Sequence, residues 1–140
     1  DSTFSTISNR ESTFIAGSSM GGLISMYALC EYPEVFGGAA CMSTHWPGTF
    51  TTNNIPVPSA FVSYLGKNLP DRKTHKIYFD YGDQTLDALY PPLQQKVDEV
   101  MKSKGFTSKN WITRYFAGKD HSEKSWNERL YVPVVFLLAK

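Results

Sequence analysis

The sequence predicts an α/β protein with a mostly parallel sheet and helices on both faces. Short β-prone runs alternate with segments of helical spacing along the chain, and such alternation is typical of right-handed crossovers between parallel strands. Apolar residues make up 41% and charged residues 19%, which is an ordinary globular balance. With 140 residues, the chain is long enough for one compact domain, and we place that domain at 1–140.

The predicted elements follow one another as strand and helix along the whole chain. The strands are expected at residues 12–16, 36–42, 76–81 and 111–116. The helices are expected at 20–32, at 60–69, after the proline pair within 86–104, and at 122–140, where Pro133 should bend or split the helix. Residues 1–11 are interpreted as the end of a helix and a loop, and residues 43–58 as a long loop.

Composition excludes several classes of function. The formal net charge of +1 favours neither nucleic acid nor an anionic membrane as a partner. No apolar run approaches the roughly 20 residues of a membrane span. Cys30 and Cys41 lie in apolar runs and are expected to be buried free thiols. The histidines do not cluster with them, so we expect no metal site.

A G-x-S-x-G motif lies between the first predicted strand and the first predicted helix. It runs from Gly17 to Gly21 with Ser19 at its centre, and a serine at such a junction occupies a tight turn that presents its hydroxyl. Glycines two places away on either side should let the strand and helix approach each other. Ser18 is the rival nucleophile, but only Ser19 has a glycine at both positions.

A serine nucleophile requires a base, and His121 is the histidine best placed to supply it. His121 follows the last predicted strand, and catalytic groups of open α/β sheets lie beyond the carboxyl ends of strands. His45 also follows a strand, and with Trp46 it forms either part of a substrate pocket wall or an ordinary loop. His75 precedes a strand and is expected to be structural.

The acid that would orient the histidine should follow the strand at 76–81. The candidates are Asp80, Asp83 and Asp87. Asp80 is still inside the strand and would point across the sheet, while Asp87 could instead cap the following helix. The order serine, acid, histidine is expected of α/β-hydrolases, but spacing alone does not choose between Asp83 and Asp87.

Four segments together resemble the esterase D family of α/β-hydrolases. They are GSSMGG, YPEVFGGAACMSTHWPG, KIYFDYGDQTLDALY and AGKDHSEKSWNERL, and the resemblance extends from about residue 13 to residue 138. The resemblance implies a serine esterase with Ser19 as nucleophile, His121 as base and Asp87 as acid. Its spacing near the acid departs from the family pattern and leaves Asp83 as a substitute.

Members of that family carry several strands before the nucleophile strand, and one of their loops supplies a second oxyanion N–H. This chain is therefore expected to represent the C-terminal part of such a fold, lacking its N-terminal strands, with the N–H of Met20 as its one oxyanion donor. Loss of one donor costs on the order of 100- to 1000-fold in turnover. We expect the isolated chain to be a poor enzyme and to associate as a homo-oligomer or aggregate through its unpaired first strand.

The function expected from these features is hydrolysis of a small-molecule or carbohydrate-linked carboxylic ester through an acyl-enzyme, without cofactor, metal, nucleic acid or membrane. Two alternatives stay open. One is an acyltransferase of the same fold, in which a sugar or thiol replaces water. The other is a catalytically silent fragment or binding module.

Overall fold

Four parallel strands form one sheet whose spatial order follows the chain. The computed structural model describes residues 3–48 and 57–139. The strands are β1 (Phe14–Ser18), β2 (Gly38–Met42), β3 (Lys76–Tyr81) and β4 (Trp111–Tyr115). Each strand pairs in parallel with the next, in the order β1-β2-β3-β4. The predicted α/β class with a parallel sheet is confirmed.

Helices cover both faces of this sheet, as predicted. They are α1 (Met20–Glu31), α2 (Val57–Asn68), α3 (Pro91–Ser103), α4 (Glu123–Arg129) and α5 (Tyr131–Leu138). Because the strands are laid down in one direction, right-handed crossovers place α1, α2 and α3 on the same face. Their apolar side chains pack on Ala39 and Cys41, whereas α5 packs with Ala40 and Met42 on the other face. Every residue of β2 is buried.

Both cysteines are free and buried, as the sequence predicted. Burial raises the pKa of the Cys30 thiol to about 12, because a thiolate is poorly stabilised in apolar surroundings. Burial likewise raises the pKa of the Cys41 thiol, and both side chains are part of the hydrophobic core. Within the described part of the chain, no helix has the length and apolar content needed to cross a membrane.

The elements near the start of the chain depart from the prediction. Residues 3–9 contain no helix, and a short 3-10 helix at Arg10–Ser12 delays β1 to Phe14. β1 then continues to Ser18, which pairs with Met42. Of the loop predicted at 43–58, residues 49–56 lie outside the described residues, and α2 already begins at Val57.

The predicted C-terminal helix is split, but not at Pro133 itself. It ends at Arg129, and α5 begins at Tyr131. A proline has no N–H for the carbonyl four residues earlier and its ring crowds that carbonyl, and the residue four before Pro133 is Arg129. In α5, Pro133 falls in the first turn, where its missing N–H costs nothing. Proline is also favoured as the first residue of a helix. This explains why α3 begins at Pro91, after a separate 3-10 helix at Thr85–Leu89.

We predict that the chain associates through β1, which is an edge of the described sheet and carries no charged residue. The opposite edge, β4, carries Arg114, a residue type that blocks strand pairing. Ala16 is exposed in the middle of β1, so Ala16→Lys should shift the chain towards the monomer in size-exclusion chromatography with light scattering. Ser103→Lys, an equal charge at the exposed end of α3, is the control. A chain that is monomeric without substitution would contradict this prediction.

Candidate active site

Four polar residues meet at the carboxyl edge of the sheet, and each follows a different strand. Ser19 directly follows β1, Ser43 directly follows β2, Asp87 lies in the segment after β3, and His121 lies in the segment after β4. The strands are parallel, so their carboxyl ends share one edge, where open α/β sheets place their ligand sites. The topology therefore brings together residues that are up to 102 positions apart in the chain.

Ser19, His121 and Asp87 form a continuous hydrogen-bonded chain. His121 Nε2 lies 2.8 Å from Ser19 Oγ, and His121 Nδ1 lies 2.6 Å from Asp87 Oδ1. An ionised carboxylate can only accept, so Nδ1 carries the proton and donates to Asp87. In the neutral imidazole, Nε2 is then the acceptor for the hydroxyl of Ser19. This is the arrangement that a general base needs in order to take a proton from a serine.

The backbone of Ser19 adopts a conformation that non-glycine residues rarely occupy, with φ 56° and ψ −120°. Such strain costs on the order of 1–3 kcal/mol and persists only where the surroundings fix it. The N–H of Ser19 donates to the carbonyl of Met42 at 2.9 Å. Its carbonyl accepts from the N–H groups of Leu23 and His45 at 3.2 and 3.1 Å. The end of β2 and the first turn of α1 therefore hold the serine in its strained turn.

The glycines of the motif do not act as symmetrically as the sequence suggested. A Cβ on Gly17 would collide with the carbonyl group of Gly21, so a glycine is required there. A Cβ on Gly21 would meet nothing within 4 Å in the described structure, whereas one on Gly22 would lie 2.9 Å from Thr44 Oγ1. A side chain at position 21 would therefore not obstruct the approach of strand and helix, and the expectation that a glycine is needed there is wrong. Gly22 is the more crowded of the two positions.

Asp87 is fully buried, and hydrogen bonds stabilise its charge on both oxygens. Oδ2 accepts from the hydroxyl of Ser43 and from the N–H of Gly82, each at 2.6 Å, while Oδ1 faces His121. Burial acts to raise the pKa of Asp87, but the hydrogen bonds from His121, Ser43 and Gly82 outweigh it and hold the pKa below its ordinary value. Asp87 is therefore ionised at neutral pH.

Asp83, the alternative acid, lies elsewhere. Its Oδ2 accepts from the hydroxyl of Tyr115 at 2.5 Å, and its Oδ1 accepts from the N–H of Gly118 at 2.8 Å. It thereby ties the segment after β3 to the segment that carries His121. The structure brings Asp87 into contact with His121 and gives Asp83 this connecting position.

Two residues of this polar cluster, Ser43 and Thr85, were not predicted from the sequence. Thr85 Oγ1 accepts from the N–H of His121 at 2.9 Å. Ser19, Ser43 and Thr85 are the non-glycine residues of positive φ in the described ranges, at 56°, 42° and 54°, and each places a hydroxyl in this cluster. Ser43 had one available signal, since it directly follows β2 as Ser19 directly follows β1. Nothing in the sequence around Thr85 indicated a role for its hydroxyl.

The remaining sequence candidates lie around this cluster. His45 is buried, and its Nδ1 lies 2.9 Å from the hydroxyl of Tyr90, which lies 3.4 Å from His121 Nδ1. Trp46 is buried in the main core, where its indole N–H donates to Gln94 Oε1 at 2.8 Å. Contact of His45 and Trp46 with a substrate stays a prediction.

Met20 and His75 lie at opposite ends of the sheet. Met20 is the first residue of α1, and the first N–H groups of a helix have no partner within it, so its N–H is available to a negative charge beside Ser19. The ring of His75 contacts the carbonyls of Pro33 and Asp71 at 2.8 and 2.9 Å, which is a structural arrangement. In the described residues, no group of three His, Cys, Asp or Glu side chains could hold a metal ion.

The parallel sheet, the strained serine between β1 and α1, and the cluster at the carboxyl edge define an α/β-hydrolase fold. The family described as "Putative esterase" matches residues 1–137. The chain belongs to this esterase family. A search of curated proteins found no match.

Solved structures of esterases share this fold. A ferulic acid esterase is 19% identical with a TM-score of 0.71, and the alignment covers 94% of this chain and 53% of the esterase. An enterobactin esterase from Shigella flexneri is 19% identical, with a TM-score of 0.72 and coverage of 94% and 32%. Fluorophosphonate-binding serine hydrolase F of Staphylococcus aureus is 13% identical, with a TM-score of 0.72 and coverage of 99% and 59%. The chain thus spans 32–59% of the length of these proteins.

Gly17→Ala is expected to destabilise the chain by about 1–3 kcal/mol, because the added methyl group cannot fit against the carbonyl of Gly21. Gly21→Ala is the matched control and should be neutral or stabilising, since alanine favours the helix. Urea unfolding followed by circular dichroism measures both free energies of unfolding. Equal losses in the two variants would contradict the steric argument.

Asp87→Asn should slow covalent labelling of Ser19 by a fluorophosphonate roughly ten-thousand-fold, because an amide N–H facing His121 would stabilise the wrong tautomer. Asp83→Asn removes a charge from the same segment without touching His121, so its effect should be less than about tenfold. The two labelling rates, measured at one pH on folded protein, test the assignment. The reverse ranking would move the acid to Asp83.

Proposed function

We propose that this chain carries the catalytic groups of a serine carboxylesterase. Ser19 is the nucleophile, His121 the general base and acid, and Asp87 the group that orients His121. The observation that supports this proposal best is the unbroken sequence of contacts from Ser19 Oγ to His121 Nε2 and from His121 Nδ1 to Asp87 Oδ1, at 2.8 and 2.6 Å.

The first half of the reaction is acylation. As Ser19 Oγ attacks the ester carbonyl, His121 Nε2 takes the hydroxyl proton and becomes imidazolium, which the ionised Asp87 stabilises. The carbonyl oxygen becomes an oxyanion, and the N–H of Met20 at the start of α1 donates to it. His121 then gives its proton to the leaving alcohol as the C–O bond breaks, which leaves an acyl group on Ser19.

The second half repeats this chemistry with water as the nucleophile. His121 takes a proton from water, the hydroxide attacks the acyl carbonyl, and the proton passes to Ser19 Oγ as the acid leaves. An alcohol or thiol in place of water would give an acyltransferase, so the acceptor distinguishes the two functions. The substrate we propose is a small-molecule or carbohydrate-linked ester.

The comparisons support this proposal at the level of the family and the fold. The family is one of esterases, and the similar structures are named as esterases and as a fluorophosphonate-binding serine hydrolase. Fluorophosphonates react with an activated serine without requiring turnover. They therefore test the nucleophile of this chain directly, even where the rate of hydrolysis is low.

Ser19→Ala should abolish fluorophosphonate labelling and lower hydrolysis of p-nitrophenyl acetate by more than about tenfold, to the uncatalysed rate, because the acyl-enzyme cannot form. Ser18→Ala is the matched control, since Ser18 is the neighbouring hydroxyl and should be dispensable. Mass spectrometry of the labelled peptide locates the modified residue. Labelling at Ser18, or more than about a tenth of the hydrolysis retained in Ser19→Ala, would refute the assignment.

A further inference from the structure

Ser43 lies in a buried cluster at the end of β2. Its side chain is completely buried, and its φ is 42°. The N–H of Ser43 donates to the carbonyl oxygen of Asp80 at 2.9 Å and to Asp80 Oδ1 at 3.1 Å. Hydrogen bonds to Asp80 in β3 therefore hold the strained backbone of Ser43. The hydroxyl of Ser43 faces Asp87, in the segment that follows β3.

The hydrogen-bonding partners of Ser43 fix the direction of its hydroxyl proton. Trp126 Nε1 lies 2.9 Å from Ser43 Oγ, and Arg129 Nη2 lies 2.7 Å from it. Indole and guanidinium nitrogens donate and cannot accept. A hydroxyl has two lone pairs and one proton, so these two donors occupy its acceptor sites. Its proton must then point to the third neighbour, Asp87 Oδ2, at 2.6 Å.

Arg129 is held in place by a second carboxylate. Its Nε and Nη2 donate to the two oxygens of Asp80 at 3.2 and 3.0 Å, and the pair is almost completely buried. The hydroxyl of Tyr78 also donates to Asp80, at 2.9 Å. Arg129 Nη2 is 3.8 Å from Asp87 Oδ2, so Ser43 Oγ mediates the closer contact between guanidinium and carboxylate.

We propose that Ser43 is a positioning residue for Asp87, with its hydroxyl oriented by Arg129 and Trp126. Ser43 and the N–H of Gly82 together occupy Oδ2, so Oδ1 is the oxygen that remains for His121. This inference rests on the proposed role of Asp87. In this role Ser43 fixes the rotamer of Asp87 and thereby determines which carboxylate oxygen faces His121.

The test compares Ser43→Gly with Ser25→Ala. Glycine tolerates the positive φ, so Ser43→Gly removes the hydroxyl and also relieves backbone strain. It should slow fluorophosphonate labelling of Ser19 by about ten- to a hundredfold, the size expected for loss of one hydrogen bond to a charged group. Ser25 is an equally buried serine whose hydroxyl donates to the carbonyl of Gly21, and Ser25→Ala should retain the rate within about twofold.

Proton NMR supplies a measurement that a merely structural role would not affect. The Nδ1–H of His121, in its short hydrogen bond to Asp87, should give a downfield resonance that moves in Ser43→Gly and not in Ser25→Ala. Ser43→Cys, which keeps a weak donor, should give a smaller loss and carries the test if the glycine variant does not fold. An unchanged resonance and rate in folded Ser43 variants would overturn the inference. Absence of labelling in the unsubstituted chain would instead overturn the proposed esterase, while the resonance would still test Ser43.

Discussion

The buried negative charge of Asp87 is the interaction on which the rest of the carboxyl edge depends. A carboxylate removed from water is strongly unfavourable unless hydrogen bonds replace its hydration. Those bonds come from Ser43 after β2, from Gly82 after β3 and from His121 after β4. The charge is therefore stabilised only when three strands are correctly aligned, and that alignment also brings His121 to Ser19.

Backbone strain accompanies the same cluster, at Ser19, Ser43 and Thr85. Each residue is held by hydrogen bonds from a different element. Ser19 bonds to the carbonyl of Met42 and Ser43 to that of Asp80, while the Thr85 hydroxyl accepts the N–H of His121. The strain costs on the order of 1–3 kcal/mol at each position. Hydrogen bonds to the neighbouring strands and loops keep these residues in their strained conformations.

The proline near the end of the chain contributes to this arrangement from a distance. Pro133 ends α4 at Arg129, because the carbonyl of Arg129 loses its helical partner. Arg129 lies against Asp80, and its guanidinium carbon is 5.1 Å from the centre of the Phe116 ring. A single buried cation therefore connects the last turn of α4 to β3 and to the hydroxyl of Ser43.

Local sequence patterns were enough to predict the α/β class, the strand at Lys76–Tyr81, and the serine motif between β1 and α1, since glycine spacing and alternating apolar runs are local properties. It also placed His121 after the last strand, and it reduced the acid to Asp83 or Asp87. Only the tertiary structure shows which of the two contacts His121, because both follow β3 and the contacts that distinguish them, Asp83 with Gly118 and Asp87 with His121, span more than 30 positions. The contact of Ser43 with Asp87 was also found only in the tertiary structure. The direction of its hydroxyl depends on Trp126 and Arg129, which the chain brings to the end of β2 after two intervening crossovers.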